Sequence, residues 1–146
     1  MTAKELWTEF TEKQNIADQD YTAWAFGGDS DRLARLVLNG EKTATASAYP
    51  LYEIENENLP KAGEYSIVLD AADNAVCVIR TTAVSIVPFL DVTPEHARKE
   101  GEGDKSLAFW RDVHRKFFSD CLKEVGMEFT GDMQVVCEEF EVVYRR

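Results

Sequence analysis

The stretch that most constrains the fold is Asn39–Tyr49, because a predicted helix stop passes there directly into a strand pattern. Asn39-Gly40 follows apolar positions at helical spacing, and glycine is common just after the end of a helix. From Thr43 the residue types alternate, with hydroxyl-bearing side chains on one face and alanines on the other. The sequence therefore predicts a strand over residues 43–49 whose alanine face packs closely against bulky neighbours.

The other face of this predicted strand carries a row of hydroxyls, with Lys42 immediately before it. The row consists of Thr43, Thr45, Ser47 and Tyr49. An amine beside hydroxyls is typical of a polar cleft, because a partly buried lysine loses its proton more easily and can act as a base toward a hydroxyl. The alternative is that Lys42 is a solvated charge and that the threonines serve strand packing, and the spacing by itself favours this alternative.

Capping signals and periodicity predict the order helices, strands, helices, strand. Helices are expected over residues 3–14, from the N-cap Ser30 to residue 38, from Thr93-Pro94 to near Gly101, and after the N-cap Ser106. Strands are expected at 65–69, 76–82 with a continuation at 84–87, and 134–144. Residues 50–62 are expected to form a long acidic loop. This order predicts an α+β fold, with a small curved or barrel-like sheet and helices against it.

The last predicted helix is the longest, and Gly126 is expected to end it. Its inner face is predicted from helical spacing to consist of Trp110, Val113, Phe117, Cys121 and Val125. An aromatic cluster of Tyr21, Trp24 and Phe26 precedes Gly27-Gly28, and these rings can either stack on a nucleobase or form core. The length of 146 residues predicts one domain, residues 1–146, in which residues 1–20 form an N-terminal helical extension.

Charge and cysteine usage narrow the function classes. The net charge of -11 argues against binding of long duplex DNA through phosphate contacts. Basic residues concentrate at 96–116, which suits a small anionic or polar ligand unless it is only a solvated helix face. No apolar run is long enough to span a membrane, so no membrane partner is expected. The cysteines, Cys77, Cys121 and Cys137, lack metal-ligand spacing and indicate reduced thiols in a cytoplasmic protein.

Several motifs together resemble one family. Gly40-Glu41-Lys42-Thr43-Ala44-Thr45 is similar to the Gly-x-Lys-x-x-Thr core of the ASCH domain family, whose fold is related to the PUA domain. Further matches are Lys61–Glu64 before a strand, Glu102–Leu107 with Trp110 behind it, and Val135–Glu141 in the closing strand. The resemblance covers roughly residues 24–144. It implies a stand-alone bacterial ASCH protein with a PUA-like curved sheet or small β-barrel and flanking helices.

The resemblance also implies a function. The family includes small bacterial amidohydrolases that remove the acetyl group from the exocyclic nitrogen of acetylated cytidine. On that pattern Lys42 is expected to be the base, Thr45 the nucleophile and Glu102 the acid/base, with Glu100 as the alternative for the third role. We expect no coenzyme, and a nucleoside or RNA ligand in a cleft formed by these residues together with Trp24, Phe26, Ser47, Glu100 and Lys105.

Two other functions remain open at this stage. One is a non-catalytic RNA-binding module. The other is a metal-dependent ribonuclease, in which Glu100, Glu102 and Asp104 hold Mg²⁺ or Mn²⁺, although a solvated glycine-rich connector accounts for the same acids more simply. We therefore expect no metal site. The histidines, His96 and His114, lie in no nucleophile or metal motif, and His114 is expected to be structural.

Two features weaken the catalytic assignment. Ser47 stands where the family pattern commonly has arginine, a residue suited to binding an anion or a carbonyl oxygen. Arg32, Arg35 and Lys105 are the candidates to replace it. Residues three apart on a regular strand also point to opposite faces, so a Lys42–Thr45 pair requires either that Lys42 lies in the turn and not in the pleat or that its side chain reaches around the strand.

Overall fold

The computed structural model describes all 146 residues. Its helices are α1 (Ala3–Lys13), α2 (Ser30–Leu38), α3 (Tyr49–Ile54), α4 (Pro94–Glu100) and α5 (Leu107–Glu124). Its strands are β1 (Tyr21–Ala25), β2 (Ala44–Ala48), β3 (Tyr65–Leu69), β4 (Ala75–Pro88) and β5 (Gln134–Tyr144). A short 3-10 turn, Phe89–Asp91, follows β4. No helix combines the length and apolar character that crossing a bilayer requires.

The strands form one sheet of five in the order β1-β3-β4-β5-β2. β1 pairs with β3 in parallel, and the other neighbouring pairs are antiparallel. The long β4–β5 pair contains register shifts at Val78/Ile79 and at Thr81/Ala83, and such irregularities bend a sheet. The sheet curls into a half-barrel with helices against it. The predicted α+β fold with a curved sheet is therefore confirmed.

The interior divides into three apolar clusters, one under each group of helices. α1 begins with a capping box between Thr2 and Glu5 and packs Leu6, Trp7 and Phe10 onto β3 and β4. Full burial of such side chains stabilises the fold by about 1.5–3 kcal/mol each. α2 covers the middle of the sheet, and α4 and α5 cover the end nearest β2.

The structure differs from the sequence prediction at several local points. Asp29 is the N-cap of α2, since its carboxylate accepts from the backbone N–H of Arg32, whereas Ser30 is already helical. The aromatic segment 21–25 is an edge strand that was not predicted. The predicted acidic loop begins with α3, because Pro50 stands in the first turn, where proline favours a helix start.

The predicted inner face of α5 is correct at Trp110 and wrong for the rest of the helix. The buried residues are Trp110, His114, Phe118 and Leu122, which follow one another at intervals of four. Three residues predicted to be buried are about two-fifths exposed: Val113 (39%), Phe117 (40%) and Val125 (38%). Burial of His114 is tolerated because its Nδ1 donates to the backbone oxygen of Trp110 at 2.9 Å. Because the buried position between Trp110 and Phe118 is occupied by the polar residue His114, the spacing of apolar residues alone did not indicate the correct face.

Candidate functional site

Lys42 lies in the turn between α2 and β2, and backbone hydrogen bonds hold that turn on both sides. The backbone N–H groups of Glu41 and Lys42 donate to the oxygen of Leu36 at 2.9 and 3.0 Å. The N–H of Thr43 donates to the oxygen of Lys99 at 2.7 Å, which ties the turn to the end of α4. β2 begins at Ala44, so Lys42 stands outside the strand pleat. Lys42 therefore lies in the turn, which is one of the two arrangements expected to allow a Lys42–Thr45 pair.

Gly101 allows α4 to approach this turn. It ends α4 in the left-handed conformation, with φ of 72°, which L residues with side chains adopt at a cost. A Cβ atom at this position would clash with the backbone oxygen of Glu41. The close contact between the end of α4 and the Lys42 turn therefore depends on the absence of a side chain at residue 101.

The side chain of Lys42 is almost completely buried, at 1% exposure, between two carboxylates. Its Nζ lies 3.2 Å from Oε1 of Glu100 and 3.2 Å from Oε2 of Glu102. The same Nζ lies 5.2 Å from the ring centroid of Phe26, within range of a cation–π contact. Removing an ammonium from water costs several kcal/mol, so this arrangement needs all of these partners.

Glu100 is the centre of the buried network and is 1% exposed. Besides Lys42, its carboxylate contacts Nε2 of His96 at 2.8 Å, Nε1 of Trp110 at 2.6 Å and Nε2 of His114 at 3.5 Å. Burial opposes ionisation of Glu100, but attraction to Lys42 and hydrogen bonds from the two histidines hold its pKa well below the usual range. Glu100 is thus a fixed negative acceptor, whereas Glu102 is 20% exposed and reaches solvent.

The histidines and Trp110 were not predicted to be part of this network. A signal for them exists in the sequence. His96 and Glu100 are spaced i,i+4 on α4, and Trp110 and His114 are spaced i,i+4 on α5, so the members of each pair face each other. Trp110 and His114 also stack, with ring centroids 4.2 Å apart. Their convergence on Glu100 depends on how α4 packs against α5.

A cleft of about 980 Å³ lies beside this cluster and is lined in part by residues of β1, β2 and β3. Four of the predicted site residues line it, namely Trp24, Phe26, Thr45 and Ser47. Tyr52, Thr81 and Glu138 line it as well and were not predicted. Phe26 belongs to both groups, since it lines the cleft and contacts the Nζ of Lys42.

Polar side chains inside the cleft are paired with one another. The Ser47 hydroxyl lies 2.8 Å from the hydroxyl of Tyr52, and burial raises the pKa of Tyr52. Thr81 donates to Oε2 of Glu138 at 2.9 Å. Glu138 stands directly opposite Thr45 in the β2–β5 register, and burial raises its pKa. The cleft therefore presents hydroxyls and a carboxyl group beside aromatic rings.

The remaining predicted residues lie at the margin. Lys105 is 44% exposed and pairs with Glu41 at 3.7 Å, away from the residues that line the cleft. Asp104 accepts from the backbone N–H of Ser106 at 2.9 Å and does not join the cluster of Lys42. The structure thus divides the predicted site into a buried ion cluster and an open cleft that meet at Phe26.

The chain belongs to the ASCH domain family, whose model matches residues 22–144. The structure is similar to the ASCH domain from Lactobacillus crispatus, with 32% identity, 99% of this chain and 97% of that chain covered, and a TM-score of 0.89. It is also similar to a protein from Enterococcus faecalis, with 36% identity, 96% and 86% coverage, and a TM-score of 0.87. None of the curated proteins matches the chain. The predicted membership of the ASCH family is confirmed.

Proposed function

We propose that this protein binds a cytosine-type nucleoside in the cleft and hydrolyses an acyl group from its exocyclic nitrogen. One observation carries the proposal: Phe26 joins a cleft lined by Thr45 to a largely buried cluster in which Lys42 contacts two glutamates. Such a buried charged cluster is expensive for folding, and clusters of this kind concentrate at functional sites. The ASCH pattern supports the same residues.

The aromatic edge of the cleft suits a flat base. Trp24 and Phe26 meet edge to face, with ring centroids 4.9 Å apart, and Trp24 is half-buried. Stacking of one base on an aromatic side chain contributes about 1–3 kcal/mol. The hydroxyls of Ser47 and Tyr52 lie along the same cleft and offer hydrogen bonds to a sugar or to an acyl carbonyl.

In the proposed reaction, the hydroxyl oxygen of Thr45 forms a bond to the acyl carbonyl carbon. The proton of that hydroxyl passes to Lys42, after Lys42 has released a proton to Glu102. The bond between the carbonyl carbon and the exocyclic nitrogen then breaks, and the nitrogen takes the proton from Glu102. Water hydrolyses the resulting threonine ester and regenerates the hydroxyl. Catalytic hydrogen bonds are often long in a free enzyme and shorten when the substrate binds. Substrate binding is therefore expected to bring Thr45, Lys42 and Glu102 closer together.

The structure favours Glu102 over Glu100 for the acid/base role. Glu100 already accepts from the ammonium, an imidazole and an indole, and its pKa is held well below the usual range by these partners despite its burial. It anchors Lys42 and does not readily take up a proton. Glu102 contacts Lys42 at the same distance of 3.2 Å and is partly open to solvent.

Charge argues against a long RNA strand in the cleft. Its lining contains four acids, Asp20, Glu57, Glu64 and Glu138, against the single base Lys61, so phosphates are repelled. The basic segment 96–116 offers no compensation in the cleft, because none of its residues lines it, and Lys99 and Lys105 pair with Glu139 and Glu41. A free nucleoside, which carries no phosphate, suits this cleft better.

The metal-dependent alternative fits the residues poorly. Glu100, Glu102 and His114 do place ligand atoms within 4.8 Å of one another. However, the ammonium of Lys42 already bonds to both carboxylates of that set. A divalent cation there would lie against the buried positive charge of Lys42.

The test is acetate release from N-acetylcytidine by the purified protein. Thr45→Val removes the proposed nucleophile with little change in shape, and we expect release to fall to background. Thr43→Val is the matched control, because Thr43 precedes the same strand but does not line the cleft, and it should retain activity. Release at the native rate by Thr45→Val would refute the nucleophile, and no release by the native chain would refute the hydrolysis.

A further inference from the structure

We propose that Glu138 determines the specificity of the cleft: its free carboxylate oxygen accepts a hydrogen bond from the exocyclic nitrogen of a cytosine-type base, and it thereby disfavours uracil. The inference rests on the proposed function, because it takes the cleft to be the nucleoside site. It assigns a role to a residue outside the Lys42, Thr45 and Glu102 set.

The sheet fixes the position of Glu138. It lies in β5, between β4 and β2, and stands opposite Val84 on one side and Thr45 on the other. Its Oε2 accepts from the hydroxyl of Thr81 at 2.9 Å, which orients the carboxyl group. The residue is 8% exposed and lines the cleft. The position opposite Thr45 places this carboxyl beside the proposed reacting group.

One carboxylate oxygen of Glu138 is free. Thr81 is its hydrogen-bond partner within the protein, and it bonds to Oε2. The buried side-chain oxygens and nitrogens that lack a partner belong to Glu9 and Arg111, so Oε1 of Glu138 is not sealed in the interior. Because the rest of the residue is buried and borders the cleft, Oε1 opens into the cleft. A ligand N–H can reach it there.

The surroundings leave Glu138 short of a donor. It forms no salt bridge, in contrast to Glu100 and Glu102. Burial raises its pKa most, Glu64 raises it further, and the Thr81 hydrogen bond offsets part of this. An incompletely compensated buried carboxylate lowers the stability of the folded chain, and such costs are typical of residues retained for function. A ligand N–H supplies the missing partner.

The chemistry of the two pyrimidines decides which one fits. The exocyclic nitrogen of cytosine carries hydrogen and donates, and it still carries one hydrogen after acylation. Uracil has a carbonyl oxygen at the equivalent place, which repels a carboxylate oxygen. Glutamate accepting from the cytosine amine is an established pairing in base recognition. Because the cleft also contains Asp20, Glu57 and Glu64, a 5′-phosphate on the ligand is expected to weaken binding.

The experiment is calorimetric titration of the protein with cytidine, uridine and cytidine 5′-monophosphate at neutral pH. The native protein should bind cytidine at least about tenfold more tightly than uridine, the difference expected for a hydrogen bond to a charged group. It should also bind cytidine more tightly than cytidine 5′-monophosphate, because the acids of the cleft repel the phosphate. Glu138→Gln should lose most of the preference over uridine, because the amide can rotate to pair with either base. Its melting temperature should be equal to or higher than that of the native protein.

Glu141→Gln is the matched control, because it removes the same charge from the same strand at a position that is 56% exposed and outside the cleft. It should leave the preference unchanged. Equal binding of cytidine and uridine by the native protein, an intact preference in Glu138→Gln, or a lower melting temperature of that variant would overturn the inference. If the native chain still releases acetate from N-acetylcytidine in any of these cases, the proposed function is retained and only the role of Glu138 is refuted. Binding of neither nucleoside would overturn both.

Discussion

Replacement of Glu100 by glutamine tests the reasoning about the buried cluster most directly. The change keeps the shape of the side chain but removes the charge that faces Lys42 at 3.2 Å. Lys42 then retains Glu102 as its carboxylate partner, while its side chain stays 1% exposed. Removing one partner of a buried ion pair costs about 3–5 kcal/mol. Since domains unfold with roughly 5–15 kcal/mol, this is a large share of the total.

The assay is chemical and thermal unfolding followed by circular dichroism at pH 7. For a domain of this size, about 1 kcal/mol shifts the melting temperature by about 2–4 °C, so the expected loss is about 6–20 °C. Glu95→Gln is the matched control, because Glu95 lies in the same helix, is 65% exposed, and forms surface pairs with Arg98 and Lys99. Its loss should stay below about 1 kcal/mol.

The pH dependence of the difference gives an independent check. Despite burial, Lys42 and the histidine hydrogen bonds hold the folded-state pKa of Glu100 well below the usual 4.5. A lowered carboxyl pKa contributes stability that is present above the unfolded pKa and is lost as the pH falls through the folded one. The gap between native and Glu100→Gln should therefore stay constant from pH 7 to pH 5 and narrow only in more acidic solution. If Glu100→Gln lowers the free energy of unfolding by less than about 1 kcal/mol at pH 7, the buried ion pair between Lys42 and Glu100 does not contribute as argued.

Three further predictions follow from other parts of the structure. Gly101→Ala should destabilise the fold, because the added Cβ clashes with the backbone oxygen of Glu41 and the φ of residue 101 is 72°. Both the melting temperature and acetate release should fall, and an unchanged melting temperature would contradict the close approach of α4 to the Lys42 turn. Burial raises the pKa of Cys77 and Cys137 to about 12, so a thiol reagent at pH 8 should label neither before unfolding, and rapid labelling of either in native protein would contradict their burial. Ser47→Arg adds a cation to the acidic cleft and should strengthen binding of cytidine 5′-monophosphate relative to cytidine, by a factor that declines as salt is added. Calorimetry at two salt concentrations measures this factor, and no gain in affinity at low salt would contradict the argument that the acids of the cleft repel phosphate.

Much of the fold could be predicted because its signals are local. The caps Thr2, Thr93 and Ser106 each accept a hydrogen bond from a backbone N–H three residues later, so the chain segment itself contains both partners. The β3 and β5 patterns and the turn before β2 were predictable for the same reason. β1 was missed because it is an edge strand whose only partner, β3, lies more than forty residues away in the chain, at a register of Tyr21 with Tyr65.

For the candidate site, the sequence by itself determined the family motif and the place of Lys42 just before a strand that carries Thr45 and Ser47. Only the tertiary structure decided that Lys42 is buried against Glu100, which is 58 residues away, and that His96, Trp110 and His114 converge on the same carboxylate. It likewise placed Glu138 opposite Thr45. The physical reason is that residue types and local spacing set caps and turns, whereas burial, pairing across strands and the resulting pKa shifts exist only once distant segments have packed together.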